Sequence, residues 1–279
     1  MPELPEVETV VRGLKSVLPG RRILHVRLGK TDFIEDPSAL EQQLPGSHIR
    51  DVRRHGKFLV FDLESLHSDS REFSLLVHLG MTGQLVTCPP ESRVAPHTHV
   101  FLALDDGREL RYIDIRRFGR IRLVRNGHDA VLGKLGLDPL AATENEFASI
   151  MRKRRAQVKA LLLDQSVLRG MGNIYSDESL WRARIHPKRL ASNLAEDELR
   201  RLRRSIREVL REAIRFRGSS VSDYVDSQGV PGEFQRRHRV YQRQGKPCSR
   251  CGRKISRIVV AGRSSYFCGR CQPSPRARR

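Results

Sequence analysis

Two cysteine pairs, Cys248-Ser-Arg-Cys251 and Cys268-Gly-Arg-Cys271, stand sixteen residues apart near the end of a 279-residue chain. Each pair has the spacing of a tight turn that offers two sulfurs to one ion. Together they match a tetrahedral four-thiolate zinc site. Between them, residues 255–260 and 264–267 read as strands, with Ala261-Gly262-Arg263 at the turn. The chain is therefore expected to end in a β-hairpin clasped by one zinc ion. Four protein ligands leave the metal no open position, so this zinc is expected to be structural. A redox role for the thiols is the alternative. Cys88 lies outside the set and reads as an ordinary thiol.

Charge narrows the class of partner. The chain carries 52 Lys+Arg against 32 Asp+Glu, a formal net charge of +20. A surplus of that size favours a polyanion, and nucleic acid comes first. A ribosomal or merely soluble basic protein is the other reading. No apolar run approaches the ~18 residues that a membrane span needs. The start is acidic and lacks the basic and apolar regions of a secretory signal. A cytosolic, reducing setting is expected, which disfavours a disulfide framework.

Hydrophobic periodicity divides the chain. Val7, Val10, Val11, Leu14, Val17 and Leu18 predict a helix over 5–18, stopped by Pro19-Gly20. From about 21 to 125 short alternating segments follow, among them Leu24, Val26 and Leu28; Leu59, Phe61 and Leu63; and Leu75, Val77 and Leu79. Val100, Leu102 and Leu104 form another, and Asp106-Gly107 reads as a hairpin turn into Leu110 and Tyr112. Such a run of strands predicts a β-sandwich or barrel. After about 130 the spacing becomes helical. Asn193 with Glu196 predicts the capped start of a helix that runs to Gly218 and carries arginines at 200, 201, 203, 204, 207 and 211. A solvated face explains most of these better than DNA contact does. The tail from Pro273 to Arg279 is expected to be disordered.

The chain opens Met1-Pro2-Glu3-Leu4-Pro5-Glu6. Once Met1 is removed, Pro2 presents a secondary α-amine, a nucleophile whose ordinary pKa of about 8 lies far below that of lysine. Pro5 suits a first helical turn, so Pro2 and Glu3 are expected just ahead of a helix start, whose dipole disfavours an ammonium. Met-Pro openings are common, so this signal needs support.

Several further stretches carry a resemblance. They are the opening through Thr9, His78-Leu-Gly-Met-Thr-Gly83, Arg116-Arg-Phe-Gly119, Gly172-Asn-Ile-Tyr175 and the four-cysteine hairpin. With these the chain resembles the bacterial formamidopyrimidine-DNA glycosylases over nearly its full length. The resemblance implies an α+β multidomain fold. Its parts would be an N-terminal β-sandwich with a leading helix (1–130), a helix–two-turn–helix domain with a lesion-covering loop (131–235), a zinc finger (236–272) and a basic tail. It implies a monomeric enzyme that excises oxidised purines from double-stranded DNA through a Schiff base and then cleaves the strand by β,δ-elimination.

Site residues carry over on the same motifs. Pro2 matches the nucleophile, Glu3 the acid that opens the sugar ring, and Glu6 a further acidic position of open role. Lys57 matches an active-site lysine that holds phosphate. Met81 and Phe118 match wedge residues that fill the hole left by an extruded base, and Arg116 the probe of the orphaned cytosine. Periodicity alone favours Met81 and Phe118 as core residues, and Lys57 reads equally as a basic strand end. His78, Lys159, Asn173, Tyr241 and Arg263 match phosphate grips, and 217–224 matches the loop over the flipped base. The chain departs from the family pattern at Ile115, Arg169 and Gly262. Two other functions stay open: a catalytically silent zinc-finger damage sensor, and the endonuclease VIII type acting on oxidised pyrimidines.

Overall fold

The computed structural model describes residues 1–65, 72–125 and 130–274, so most of the expected basic tail lies outside the described residues. Contacts divide the chain into two compact units. One is Met1–Gly133 with Phe216–Gln235, the other Lys134–Arg215 with Arg236–Arg279.

The first unit opens with helix α1, Leu4–Lys15, with Pro5 in its first turn. Val7, Val10, Val11 and Leu14 sit one turn apart and are buried. The helix stops three residues earlier than its periodicity suggests, but Leu18 still donates its N–H to the Leu14 carbonyl and stays buried. Eight antiparallel strands follow, with a short helix after the first. They are β1 (Ile23–Leu28), α2 (Pro37–Gln43), β2 (His48–His55), β3 (Phe58–Glu64), β4 (Glu72–His78), β5 (Gln84–Cys88), β6 (Thr98–Leu104), β7 (Glu109–Ile113) and β8 (Arg120–Arg125). They build two four-stranded sheets, β1-β6-β7-β5 and β2-β3-β4-β8.

The inward residues are those that alternation selects. Leu59, Phe61, Leu63, Leu75, Val77, Leu102, Leu110 and Tyr112 join α1 in one core. β1 departs from the reading. Its register with β6 shifts between Ile23 and His25, and Leu24 is 38% exposed while Ile23 is buried. An extra residue in one strand reverses the alternation, so Leu24 faces out and Val26 and Leu28 pack against the core. Helix α2, which periodicity did not reveal, is capped by Asp36, whose carboxylate accepts from Ala39 N, and it sends Leu40 into the core. The segment 216–235 lies along β5, where Thr87 N donates to the Ser227 carbonyl at 2.9 Å and Gln84 Nε2 to that of Asp223 at 2.5 Å.

The second unit contains α3 (Glu144–Arg152), α4 (Val158–Leu163), α5 (Asn173–Ala183), α6 (Glu196–Arg215) and a hairpin of β9 (Ser256–Val260) with β10 (Arg263–Phe267). The cap of α6 falls at Ala195 rather than Asn193. Glu198 reaches back to accept from Ala195 N at 3.0 Å, and Asn193 closes a separate 3₁₀ turn. Leu199, Leu202, Ile206, Val209 and Leu210 turn inward, and α6 packs on α5 and α3. In the hairpin Arg263 faces Val260, leaving Ala261 (φ +47°) and Gly262 (φ +70°) as a two-residue turn with both residues left-handed. That turn matches the twist of its strands, and glycine at 262 suits it better than a larger residue.

The bulge makes a testable distinction. Leu24→Lys should change stability by no more than about 0.5 kcal/mol, as an exposed substitution does, whereas Ile23→Ala should cost ~2–5 kcal/mol. Urea unfolding of both variants checks this, and the reverse order would restore simple alternation.

Candidate active site

The start of α1 is held from below. Pro2 is buried beside exposed Met1, and Glu3, the residue before the helix, is 4% exposed. Glu6 uses both carboxylate oxygens. Oε2 accepts from Glu3 N at 2.8 Å, and Oε1 accepts from Ser219 N at 2.7 Å. Between them sits Gly218, at φ +77°, where an added Cβ would lie 2.6 Å from Glu6 Oε1. Only glycine meets both demands. Tyr224 donates its hydroxyl to the Glu6 carbonyl at 3.2 Å. Burial, reinforced by Glu6, pushes that hydroxyl's pKa up, so it stays a donor. Glu6, whose role the sequence left open, thus joins the chain's leading residues to the loop at 217–224.

Lys57 follows Gly56 (φ +63°) in the turn between β2 and β3 and is 8% exposed. His78 faces Phe58 across the β3–β4 pair, with rings 5.0 Å apart. Burial, then the charges of Lys57 and Arg120, push the His78 pKa down to about 4. The imidazole is therefore neutral at pH 7. Its Nδ1 accepts from Gly80 N at 3.1 Å, which assigns the proton to Nε2 and leaves that nitrogen a donor.

Two loops of the same unit are locked together by Asp114, which is fully buried. It accepts from Thr82 Oγ1 at 2.5 Å, Tyr112 Oη at 3.1 Å and Gly119 N at 2.9 Å. The glycines of the two motifs leave no room for side chains. A Cβ at Gly80 would lie 2.4 Å from the Phe118 backbone, and one at Gly119 would lie 1.7 Å from the Tyr112 hydroxyl. The clamp leaves Met81 39% and Phe118 51% exposed, so the core placement that periodicity favoured does not hold. Large apolar side chains fixed in water by a rigid polar base mark a contact surface. The Arg116 guanidinium stacks 4.4 Å over the Phe118 ring. Ile115, one of the departures from the family pattern, is 51% exposed beside them.

In the second unit α5 organises the residues matched to phosphate grips. Asn173 begins the helix after Gly172, and its Oδ1 has no hydrogen-bond partner among the described residues. Gln165 braces the approach, accepting from Gly170 N at 2.9 Å and donating to the Met171 carbonyl at 2.8 Å. Arg169, the second departure, donates to the Gly136 carbonyl at 3.2 Å. Asp177 accepts from Lys159 Nζ at 2.6 Å and from Tyr266 N at 3.0 Å, while Lys159 Nζ also donates to the Ser264 carbonyl at 3.0 Å. Glu178 accepts from three successive amides, Arg239, Val240 and Tyr241, at 2.9–3.0 Å. Adjacent carboxylates thereby fix β10, which begins at exposed Arg263, and the segment of Tyr241.

Lys159 requires a correction. Its side chain has no exposed surface, and a group without surface does not grip phosphate. It positions the hairpin instead. Asp114, Asp177 and Glu178 went unnoticed in the sequence. The one signal for the latter two is that Ser176-Asp177-Glu178-Ser179 interrupts any apolar face of α5, yet all four are buried.

The four cysteine sulfurs lie within 4.8 Å of one another, with Cys251–Cys268 at 3.4 Å and Cys248–Cys271 at 4.0 Å. Tetrahedral thiolates on zinc stand ~3.8 Å apart, from Zn–S bonds of about 2.3 Å. The set fits one closed zinc site. It packs with Trp181, Val240 and Ile255, and Arg250 stacks 4.1 Å over the Trp181 ring. Cys88 lies apart on β5 and is partly exposed.

A sandwich with a buried helix start, exposed Met81 and Phe118, and a four-cysteine arginine hairpin on a chain of +20 net charge define a zinc-bearing protein that meets a polyanion. Comparison narrows the class. Residues 1–121 match the formamidopyrimidine-DNA glycosylase N-terminal domain, 135–225 its H2TH domain, and 245–273 the zinc finger found in FPG and IleRS. The formamidopyrimidine-DNA glycosylase of Pelotomaculum thermopropionicum is 45% identical over 98% of this chain and 99% of its own. That of Heliobacterium modesticaldum is 46% identical over 98% and 100%. The MutM (Fpg) crystal structure from Thermus thermophilus superposes with a TM-score of 0.84 at 42% identity, covering 98% of this chain and all of that one. The Lactococcus lactis Fpg in complex with an abasic-site DNA gives 0.87 at 35%, with the same coverage. The chain belongs to the formamidopyrimidine-DNA glycosylase family.

The α5 tether gives a prediction. Asp177→Ala strands a buried lysine and should cost ~3–5 kcal/mol. The paired change Lys159→Met with Asp177→Leu should recover most of that loss but not duplex affinity, because Tyr266 N loses its acceptor. Urea melts and DNA titration of both variants check this. Full recovery of affinity would show that the tether does not position Arg263.

Proposed function

We propose that this chain is a base-excision-repair DNA glycosylase with AP lyase activity, which removes oxidised purines from duplex DNA and takes Pro2 as its nucleophile. The observation that carries the reading is the buried helix start, with Glu3 beside Pro2 and Glu6 holding the Glu3 amide. Removal of Met1 frees the Pro2 nitrogen, and the positive end of α1 favours its neutral form.

Base removal requires the target nucleotide to leave the stack. Met81 and Phe118 enter the gap, and Arg116 probes the cytosine left behind. The Pro2 nitrogen then bonds to C1′ as the C1′–N bond to the base breaks, and the proton of the amine passes to the departing base. Glu3 delivers a proton to the ring oxygen as the C1′–O bond opens, leaving a cationic iminium. That iminium has no N–H proton to shed, so it draws electrons from C2′. Loss of a C2′ proton expels the 3′ phosphate, and a second elimination expels the 5′ phosphate. Lys57 holds phosphate beside the lesion, and neutral His78 donates Nε2–H to another. Asn173, Tyr241 and Arg263 grip the backbone, Arg263 as a bidentate fork. The zinc held by Cys248, Cys251, Cys268 and Cys271 keeps the hairpin folded and takes no part in bond making. Amides of residues 217–224 face the extruded base.

The division into a sandwich domain at 1–130, a helical domain at 131–235 and a finger at 236–272 is part of the same reading, although by contacts residues 216–235 pack with the sandwich unit. The +20 charge supports a setting in which the protein stays on DNA, and no helix among the described residues is long and apolar enough to cross a membrane.

Single-turnover kinetics test the proposal. Release of 8-oxoguanine should exceed release of thymine glycol by at least tenfold. Glu3→Gln should slow release by ~10²-fold or more, as loss of general acid catalysis does, while binding to an abasic analogue changes little. Faster release of thymine glycol would assign the chain to the sister specificity, and no release of either base would leave only a damage sensor.

A further inference from the structure

The positive charge on helix α6 is ordered. Its only acids past the first turn, Glu208 and Glu212, are engaged with Arg182 and Arg237. Arg201 pairs with Asp197 in the first turn of the helix, and Arg203 with Glu144 of α3. Arg200, Arg207, Arg211 and Arg215 have no carboxylate within salt-bridge distance among the described residues. At 3.6 residues per turn these four fall within an arc of roughly 80° and span about 22 Å of helix. Arg204 lies inside the same arc, with Glu208 at 4.0 Å. Buried Leu202, Ile206, Val209 and Ala213 occupy the opposite arc. A row of unpaired guanidiniums repels itself. Burial, then the charges of Arg203 and Arg211, draw the Arg207 pKa below its ordinary value.

α5 packs on both α6 and β10, so the arginine row and the hairpin that starts at Arg263 stand on different elements of the same unit. The row occupies the arc of α6 opposite its buried residues.

We infer that the exposed face of α6 is a second duplex-DNA contact, which holds a separate undamaged segment while the first occupies the lesion site. The inference rests on the DNA-binding reading above and extends it to another surface. With Arg204 counted, guanidiniums at intervals of roughly 4.5–6 Å along the axis can each meet a phosphate of a strand laid beside them. Nothing in the row reads bases, so the contact is sequence-independent and salt-sensitive. Such a contact lets the protein pass between DNA segments without returning to bulk solution.

The test uses the full zinc-loaded chain, saturated with an unlabelled duplex carrying an uncleavable abasic analogue. A fluorescent undamaged 20-base-pair duplex is then titrated in at low salt, and sedimentation reports the mass of the complex. Wild type should form a complex of one protein with two duplexes. The variant Arg200→Gln, Arg207→Gln, Arg211→Gln, Arg215→Gln should bind the second duplex at least tenfold more weakly. It should lower the log–log salt slope of that step by about 3–4, from ~0.9 per phosphate contact, and excise from a short duplex within twofold of wild type. The four-lysine counterpart should restore the second duplex, which separates charge from helix damage. A wild-type complex that never exceeds one duplex would overturn the proposal, as would a glutamine variant that retains the second. Displacement of the second duplex by polyglutamate at equal charge would replace DNA with an acidic protein as the partner. A glutamine variant that loses lesion binding would place the row in the primary site instead. If wild type binds no lesion duplex at all, the underlying reading fails first, and that outcome is distinct.

Discussion

One carboxylate, that of Glu6, ties the start of α1 to the loop at 217–224. It accepts from the amide of Glu3 with one oxygen and from that of Ser219 with the other. A buried carboxylate is costly unless both oxygens are engaged, and here both are. Everything proposed for Pro2 follows from that bond pair. The leading residues are packed ahead of a helix start rather than frayed, and the loop at 217–224 is tied to the residues it is proposed to serve. The strain-free demand at Gly218 is the steric mark of the same contact.

Buried acids repeat the device elsewhere. Asp114 gathers three donors and so makes a rigid base for Met81, Arg116 and Phe118. Asp177 and Glu178, neighbours on α5, hold the zinc hairpin and the Tyr241 segment. Burial raises the pKa of both, Asp177 to about 7 and Glu178 in the same direction, against the stabilising donors around them. In each case a buried carboxylate accepts at least one backbone amide, joined at Asp114 by two hydroxyls and at Asp177 by the Lys159 ammonium, and so fixes the segment that amide belongs to. The surface carries the net charge, and the interior carries the geometry.

Much of this was legible in the residues. Alternation found the sandwich core because the strands are half-buried and antiparallel, and cysteine spacing found the metal clasp because zinc geometry admits few alternatives. The exposure of Met81 and Phe118 was not legible from periodicity. Met81 follows a strand of apolar residues, and periodicity cannot tell a core methionine from one presented by a loop, so motif resemblance had to decide. Lys159 failed for the opposite reason: a lysine matched to a phosphate grip gives no sign in sequence that an aspartate eighteen residues later encloses it. Leu24 was misplaced because one inserted residue inverts a strand's faces, and the acids of α5 were missed because their amide partners lie 61 to 89 residues away in the chain.

The claim on which the account turns is chemical: the bond to deoxyribose forms at the backbone nitrogen of the second residue. Borohydride reduction on a lesion duplex, followed by digestion and fragment-ion mapping, addresses it directly. The account requires the sugar remnant on the Pro2 peptide, at the imino nitrogen, and no adduct on protein that retains Met1. A remnant on Lys57, or on any other side chain, would contradict it.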